Sequence, residues 1–523
     1  MNILAINMYI DSVVLPALIG VCASFLIEFS LLVPRQCIRL LRGATVYLLH
    51  IASWLSFFLL CLLLFQRPWF AVLLTTSLQL LLMAVNFVKY RTLREPFILQ
   101  DFEYFSDMIM HPRLYLPFFG IWNALIGCIL FTFLVYIALR LEASLLLTVE
   151  IMVFFGLTLS LLLGTGAIAL IAARSLPEAK LDPVEDLRLM GLFSSFWCYF
   201  MAFTRCSGLT AHPVYQKDFQ FNNIEVLPDL MVVQSESFFD PRLSFNSVRE
   251  DVLQHYDRIV KQSLSFGRVI VPAWGANTVR TESSFLTGLN SSDMGIHQFN
   301  PYWYLTRNSL PNLVSQLKSL GYRTICIHPY PAAFYHRDTV FPQLGFDQFI
   351  DIREFSPEQK NGQYISDLAV AEKAKEVMDK ESSPCFVFAI TMENHGPLHL
   401  ESNVGIDTKS LYHTLPPEEA RDLTVYLKHL KNADNMIDQL TTYLNSRQRK
   451  SYLCWYGDHV PVMTKVYKVM GEPVEDTPFF IWCNQEELKS KESIYNIDQL
   501  SVNFFIQTVA NKYCTKDLIG KDL

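Results

Sequence analysis

Five long apolar runs, all before Arg174, constrain this 523-residue chain more than any other feature. They lie near 12–33, 44–65, 69–88, 121–139 and 145–172. Each is about the 20 residues a helix needs to cross a hydrocarbon core, where only a helix or a closed barrel satisfies every backbone polar group. The first run lacks a basic start and a small-residue cleavage site, so it reads as a retained anchor rather than a removable signal peptide. Five spans put the termini on opposite sides, so a cytoplasmic N-terminus implies an extracytoplasmic C-terminal part. A plain count of basic residues opposes this. Arg35, Arg39 and Arg42 follow the first span and Lys89, Arg91, Arg94 and Arg113 the third, which draws both loops to the cytoplasmic side. Interfacial basic residues also hold anionic headgroups, and the site chemistry below favours an external domain.

Two segments read as interfacial rather than spanning. Residues 94–119 mix Glu95, Asp101, Glu103 and Asp107 with aromatics, and residues 187–203 alternate apolar and aromatic side chains as an amphipathic helix on the membrane surface. The expected organisation is a helical transmembrane domain over 1–173, a linker with that helix over 174–222, and a catalytic domain over 223–523. A net charge of −7 and the lack of any Lys/Arg-rich run exclude nucleic acid as a partner. The eleven cysteines show no CxxC or zinc-type spacing, and Cys326, Cys385, Cys454 and Cys483 fall in apolar strands as buried thiols.

Beyond 223, strand-like runs at 230–234, 268–272, 324–328, 385–391, 452–456 and 479–483 alternate with helical patterns such as 311–320 and 423–444. That alternation predicts a mainly parallel sheet covered by helices, with ligands gathered beyond the carboxyl ends of its strands. Those ends carry Glu236 in QSESF, Thr278 in WGANTVRTESSF, and Asp458-His459 in YGDH. Two carboxylates and an imidazole suit a divalent cation such as Mn²⁺, Zn²⁺ or Mg²⁺. A threonine hydroxyl becomes a competent nucleophile when a metal lowers its pKa, which makes Thr278 the candidate. Asn277 and Arg280 are either donors to the transferred anion or solvated turn residues. Two more strand ends add His328, leading to Arg337, and the MENHGP segment with His395. Arg337 suits a bidentate anion clamp; His395 suits proton transfer or a substrate hydroxyl.

The ordered set VVQSESFFD, WGANTVRTESSFLTG, HPY…FYHRD, MENHGP and YGDHVP resembles the lipoteichoic acid synthase family of membrane phosphoglycerol transferases, within the alkaline phosphatase superfamily. The resemblance implies about five spans before an extracytoplasmic sulfatase-like α/β domain in a bacterial cell (inner) membrane. It implies that Glu236, Thr278, Asp458 and His459 hold one divalent cation, Mn²⁺ first and Mg²⁺ or Zn²⁺ as alternatives, with Thr278 forming a covalent glycerophosphate ester. The donor would be phosphatidylglycerol and the acceptor an envelope glycan or a glycerophosphate chain. His328, Tyr335, Arg337 and His395 match positions that contact the phosphoglycerol group, with Tyr335 where the synthases carry tryptophan and Tyr330 where they carry aspartate. A sulfatase activity is not expected, because Thr278 replaces the Cys or Ser of a C/S-x-P-x-R pattern and Arg280 stands where its proline belongs. The rivals are a phosphoethanolamine transferase of the same superfamily and a non-catalytic sensor or scaffold.

Overall fold

The computed structural model describes residues 3–39, 41–219, 226–485 and 491–513. The chain divides into two compact units, Met1–Ser207 and Gly208–Leu523. The expected start of the second domain at 223 lies outside the described residues.

Among the described residues of the first unit, five helices are long and apolar enough to cross a membrane: α1 (Ile3–Leu31), α2 (Ala44–Phe65), α3 (Pro68–Leu93), α4 (Ile121–Leu141) and α5 (Ile151–Arg174). Helix α2 has the expected bounds, whereas α1 starts nine residues before the expected 12. Helix α5 starts at Ile151 because Leu145–Leu147 is a 3-10 turn whose Leu146 N–H is held by the Ser144 hydroxyl. At the start of α3, the amides of Trp69 and Phe70 donate to the Glu142 carboxylate at 2.9 and 2.8 Å, so two orphan donors of a helix end find partners. Helix α4 has no buried side chain, as suits a helix solvated by lipid.

The segment expected to rest on the membrane surface lies in α6 (Pro183–Arg205), and it packs on α2. Ser194 bonds the Val46 carbonyl at 3.0 Å and the Trp197 indole bonds Ser53 at 2.8 Å. Small side chains permit this close approach. At Gly191, which has φ 72°, an added Cβ would lie 2.2 Å from both Arg42 and Glu28. Helix α6 thus belongs to the helical unit rather than to a linker.

The second unit holds an eight-stranded sheet of order β10-β2-β9-β8-β1-β7-β3-β4. Its strands are β1 (Asp229–Ser235), β2 (Ser265–Ile270), β3 (Arg323–Ile327), β4 (Gln348–Ile350), β7 (Cys385–Ile390), β8 (Ser451–Gly457), β9 (Thr477–Cys483) and β10 (Lys491–Asn496). A two-stranded hairpin, β5 (Lys360–Asn361) and β6 (Tyr364–Ile365), stands apart. Among the described residues of the eight-stranded sheet, only β9 runs antiparallel, between β8 and β2. Alternation along β1 sends Met231 and Val233 into one apolar layer and Leu230 and Val232 into the other, so the central strand is buried on both faces. The six expected strands are all present, with β2 displaced by three residues at its start; β4 and β10 are short or exposed edge strands without an apolar run. Cys326, Cys385, Cys454 and Cys483 are buried free thiols.

A buried ion cluster ties the MENHGP segment to the helix Arg421–Ser446, which covers one face of the sheet. His429 meets Glu393 through Nδ1 and Glu401 through Nε2, both at 2.9 Å. Burial opposes its charge, but the two carboxylates outweigh burial and raise its pKa to about 9. A histidine with a folded pKa above the unfolded value of roughly 6.5 contributes stability that is full below that value and lost as pH rises through the folded one. Chemical denaturation is therefore expected to show stability falling by on the order of 2–3 kcal/mol between pH 6.5 and about 9. His429→Gln should flatten that slope.

Candidate active site

Parallel pairing of β1 with β8 sets Ser235 opposite Gly457, so the residues just past both strand ends, Glu236 and Asp458, emerge side by side. Backbone contacts hold them there. The Glu236 amide donates to the Thr391 hydroxyl beyond β7 at 3.0 Å, and the Ser237 amide donates to Asp458 Oδ1 at 2.7 Å. Ser237 takes a left-handed backbone, φ 51°, and its hydroxyl donates to Glu236 Oε1 at 2.7 Å. Only glycine fits at 457, because a Cβ there would sit 1.8 Å from the Phe238 carbonyl oxygen.

His459 completes the cluster. Its Nδ1 lies 3.3 Å from the Val460 carbonyl, which can only accept, so Nδ1 carries the proton and Nε2 presents a lone pair. Three oxygens surround that Nε2: Thr278 Oγ1 at 3.5 Å, Asp458 Oδ2 at 3.5 Å and Glu236 Oε1 at 3.6 Å. A tetrahedral cation with bonds of about 2.0–2.2 Å holds its donors roughly 3.3–3.6 Å apart, so these spacings fit one. Asp458 Oδ2 is buried without a hydrogen-bond partner, an arrangement that costs free energy until a cation meets it. Burial first, and Asp458 second, push the Glu236 carboxyl up to about 8. The four residues expected to hold the metal are thus brought together, and Glu236, Asp458 and His459 satisfy the spacing of a metal cluster.

Thr278 is the first residue of α7 (Thr278–Thr287), a helix in which every side chain is buried. Asn277 precedes it in a left-handed conformation, φ 64°, with no side-chain cap. A helix start favours an anion through its dipole. Arg280 is buried with its guanidinium 5.2 Å from the Phe299 ring centre, so it is no solvated turn residue.

Arg337 is 1% exposed and already engaged. Its Nε and Nη2 donate to Glu282 at 3.1 and 2.8 Å, and Nη1 donates to His328 Nε2 at 3.2 Å. His328 directs Nδ1 at the Ile390 carbonyl at 3.2 Å, so both of its ring nitrogens are occupied and it supports Arg337 instead of offering substrate a free nitrogen. Burial, then Arg337, hold its pKa well below the usual range. His395 directs Nδ1 at the Gly396 carbonyl at 2.6 Å, which leaves Nε2 as the bare nitrogen. Burial lowers its pKa, so the neutral ring is the resting form. Tyr335 has φ 57°, and its ring lies over the Arg337 guanidinium at 5.3 Å. Tyr330 packs against Phe334 and Tyr364 at 5.2 and 6.4 Å.

The profile of the sulfatase family matches residues 228–511, more than half of the chain. The chain belongs to the sulfatase family. Among its curated relatives, the capsular polysaccharide biosynthesis protein RkpI of Rhizobium meliloti is 33% identical over 266 residues, covering 49% of this chain and 45% of that one. The chain spans about half the length of the curated relatives it matches. The Streptococcus pyogenes phosphoglycerol transferase GacH, solved with sn-glycerol-1-phosphate, is 22% identical with a TM-score of 0.45 and covers 55% of this chain and 75% of that one. The integral membrane lipooligosaccharide phosphoethanolamine transferase A (EptA) of Neisseria meningitidis is 13% identical with a TM-score of 0.53, covering 94% of each chain. The likeness to EptA shows that the fold, five apolar helices followed by a sulfatase-like domain, extends over nearly the whole length.

Sequence reasoning overlooked two parts of this sulfatase-family site. Glu282 lies in the quoted TESSF run, but its role depends on burial, which the run alone does not reveal. Ser237, next to Glu236, reads as a spacer until its left-handed backbone and its contacts to both carboxylates are seen. Because Glu236 holds its proton up to about pH 8, a cation must displace it. Calorimetry with Mn²⁺ in buffers of different ionisation enthalpy should show proton release below pH 8 and an affinity that rises as pH climbs to that value, by up to about tenfold per unit.

Proposed function

We propose that this sulfatase-family protein is a membrane phosphotransferase that moves glycerol phosphate from phosphatidylglycerol to a hydroxyl of an envelope glycan or glycerophosphate chain, through a covalent Thr278 ester. The observation that carries this reading is the placement of Thr278 Oγ1, a potential nucleophile, 3.5 Å from His459 Nε2 and at a helix start. A hydrolytic sulfatase reading lacks its nucleophile pattern, and a scaffold would not need the unpartnered Asp458 oxygen. The ordered motifs favour glycerol phosphate over phosphoethanolamine, and the polysaccharide named for RkpI supports a glycan acceptor.

Glu236, Asp458, His459 and Thr278 would hold the divalent cation, Mn²⁺ first. When bound, it supplies positive charge that lowers the Thr278 pKa and offsets charge on the phosphoryl oxygens. Thr278 Oγ1 loses its proton to water and bonds to phosphorus as the bond to the diacylglycerol oxygen breaks; that oxygen takes up a proton from water and leaves as a hydroxyl, while the start of α7 draws the equatorial charge. In the second half, the acceptor hydroxyl gives its proton to His395 Nε2 and its oxygen bonds to phosphorus as the bond to Thr278 Oγ1 breaks; the proton passes on to Oγ1, which restores Thr278. A neutral resting His395 suits this role as base better than that of an acid for departing diacylglycerol.

The domain is placed outside the cytoplasm, where glycan acceptors lie. Two of the loop cations that argued otherwise are not free charges: Arg42 pairs with buried Glu28, and Lys89 pairs with Glu95 and Asp101 at 2.6 and 2.7 Å. A membrane anchor suits a donor confined to two dimensions, because tethering raises its effective concentration.

Purified protein with Mn²⁺ is expected to release diacylglycerol from labelled phosphatidylglycerol and not from phosphatidylethanolamine, as read by mass spectrometry; the reverse preference would move the assignment to the phosphoethanolamine transferases. Thr278→Ala should cut that release by at least about a thousandfold. Unchanged release would remove Thr278 as nucleophile. A reporter fused at Leu523 should be active only outside the cytoplasm.

A further inference from the structure

We infer that Glu282 is a positioning residue that fixes the Arg337 guanidinium for a phosphoryl group, an inference that rests on the reading of this site as one for phosphoryl transfer. Glu282 is wholly buried, one helical turn after Thr278 on the same helix. Its carboxylate is filled by donors. Oε1 accepts from Arg337 Nε and from the Tyr302 hydroxyl; Oε2 accepts from Arg337 Nη2 at 2.8 Å and from Gln234 Nε2 at 3.4 Å. Gln234 is held in turn by the Tyr456 hydroxyl at 2.7 Å.

This network joins the parts that carry the chemistry. Gln234 and Tyr456 each stand two residues before a candidate metal ligand, Glu236 and Asp458, on adjacent strands. Glu282 rides on the helix of Thr278. The carboxylate therefore references the guanidinium to three backbone segments that also set the cation and the nucleophile. A guanidinium has five N–H donors. Glu282 takes two and His328 Nε2 takes one, which leaves one on each terminal nitrogen of Arg337 in a set direction.

His328 is part of the same device. Arginine always donates, so His328 Nε2 must accept, and its Nδ1 proton goes to the Ile390 carbonyl. Neither nitrogen is left to compete with Arg337 for substrate. The pairing of Glu282 with Arg337 also explains how the cation can lie buried before any anion arrives: the bidentate carboxylate meets its charge. A pair that served packing alone would not require the remaining donors to keep their direction.

Inorganic phosphate binding to the full-length, Mn²⁺-loaded protein in detergent tests this by calorimetry. Glu282→Gln keeps the shape and loses the charge; Glu282→Asp keeps the charge and loses the reach. Both are expected to weaken phosphate at least about tenfold while leaving Mn²⁺ affinity within about twofold, and Arg337→Ala should weaken phosphate to a similar degree. The double variant Glu282→Gln/Arg337→Ala should bind phosphate no more weakly than Arg337→Ala alone, because Glu282 acts through Arg337. Effects that multiply in the double variant would overturn the inference. So would wild-type phosphate binding in Glu282→Asp, a loss of Mn²⁺ affinity in both Glu282 variants, or a wild-type protein that binds no phosphate. Phosphate carries no headgroup, so an error in the proposed donor lipid leaves this result unaffected.

Discussion

Two carboxylates buried side by side are the constraint on which the catalytic domain turns. Pairing of β1 with β8 delivers Glu236 and Asp458 to the same dry place, where like charges raise one another's cost of ionisation. The fold meets that cost in stages. Ser237 donates to both carboxylates, one through its amide and one through its hydroxyl, and His459 Nε2 faces both at 3.6 and 3.5 Å. What remains is an unpartnered Asp458 oxygen and a raised Glu236 pKa, the signature of a site completed by a cation.

Around that centre, the two faces of the site are built differently. On one side stands a helix start with Thr278 as its first residue. On the other stands an arginine whose direction is set by a carboxylate from the same helix. One helix thus places both the nucleophile and the group that orients the anion clamp, so relative movement between them is confined to side-chain torsions. The helical unit shows the same economy with buried charge: Glu28 with Arg42, and Lys89 with Glu95 and Asp101, are paired wherever a bilayer or a packed bundle removes water.

Much of this was legible beforehand. The five spans follow from hydropathy and length, and their errors lie at ends such as Leu145–Leu147, where a capped 3-10 turn is as apolar as the helix it precedes. The six main strands were readable because a strand buried on both faces is a continuous apolar run; β10 was not, because exposed strand residues carry no such pattern. The packing of helix α6 was not readable for a related reason. Its alternation of apolar and aromatic residues suits a membrane surface and a helix bundle equally, and Gly191, Ser194 and Ser195 select the bundle only when a neighbouring helix is present.

The sequence by itself determined the kinds of residue at each strand end, and so the chemistry: two carboxylates, an imidazole and a threonine where an α/β sheet collects its ligands. Strand ends are local, and local order is written in hydrophobic periodicity. Only the tertiary structure decided which of these groups remain available. Arg337 and His328 each read as a free ligand for substrate, yet Glu282, 55 residues from Arg337 in sequence, takes the arginine and through it the histidine. Such commitments depend on burial and on donor geometry across the sheet, which chain order does not encode residue by residue.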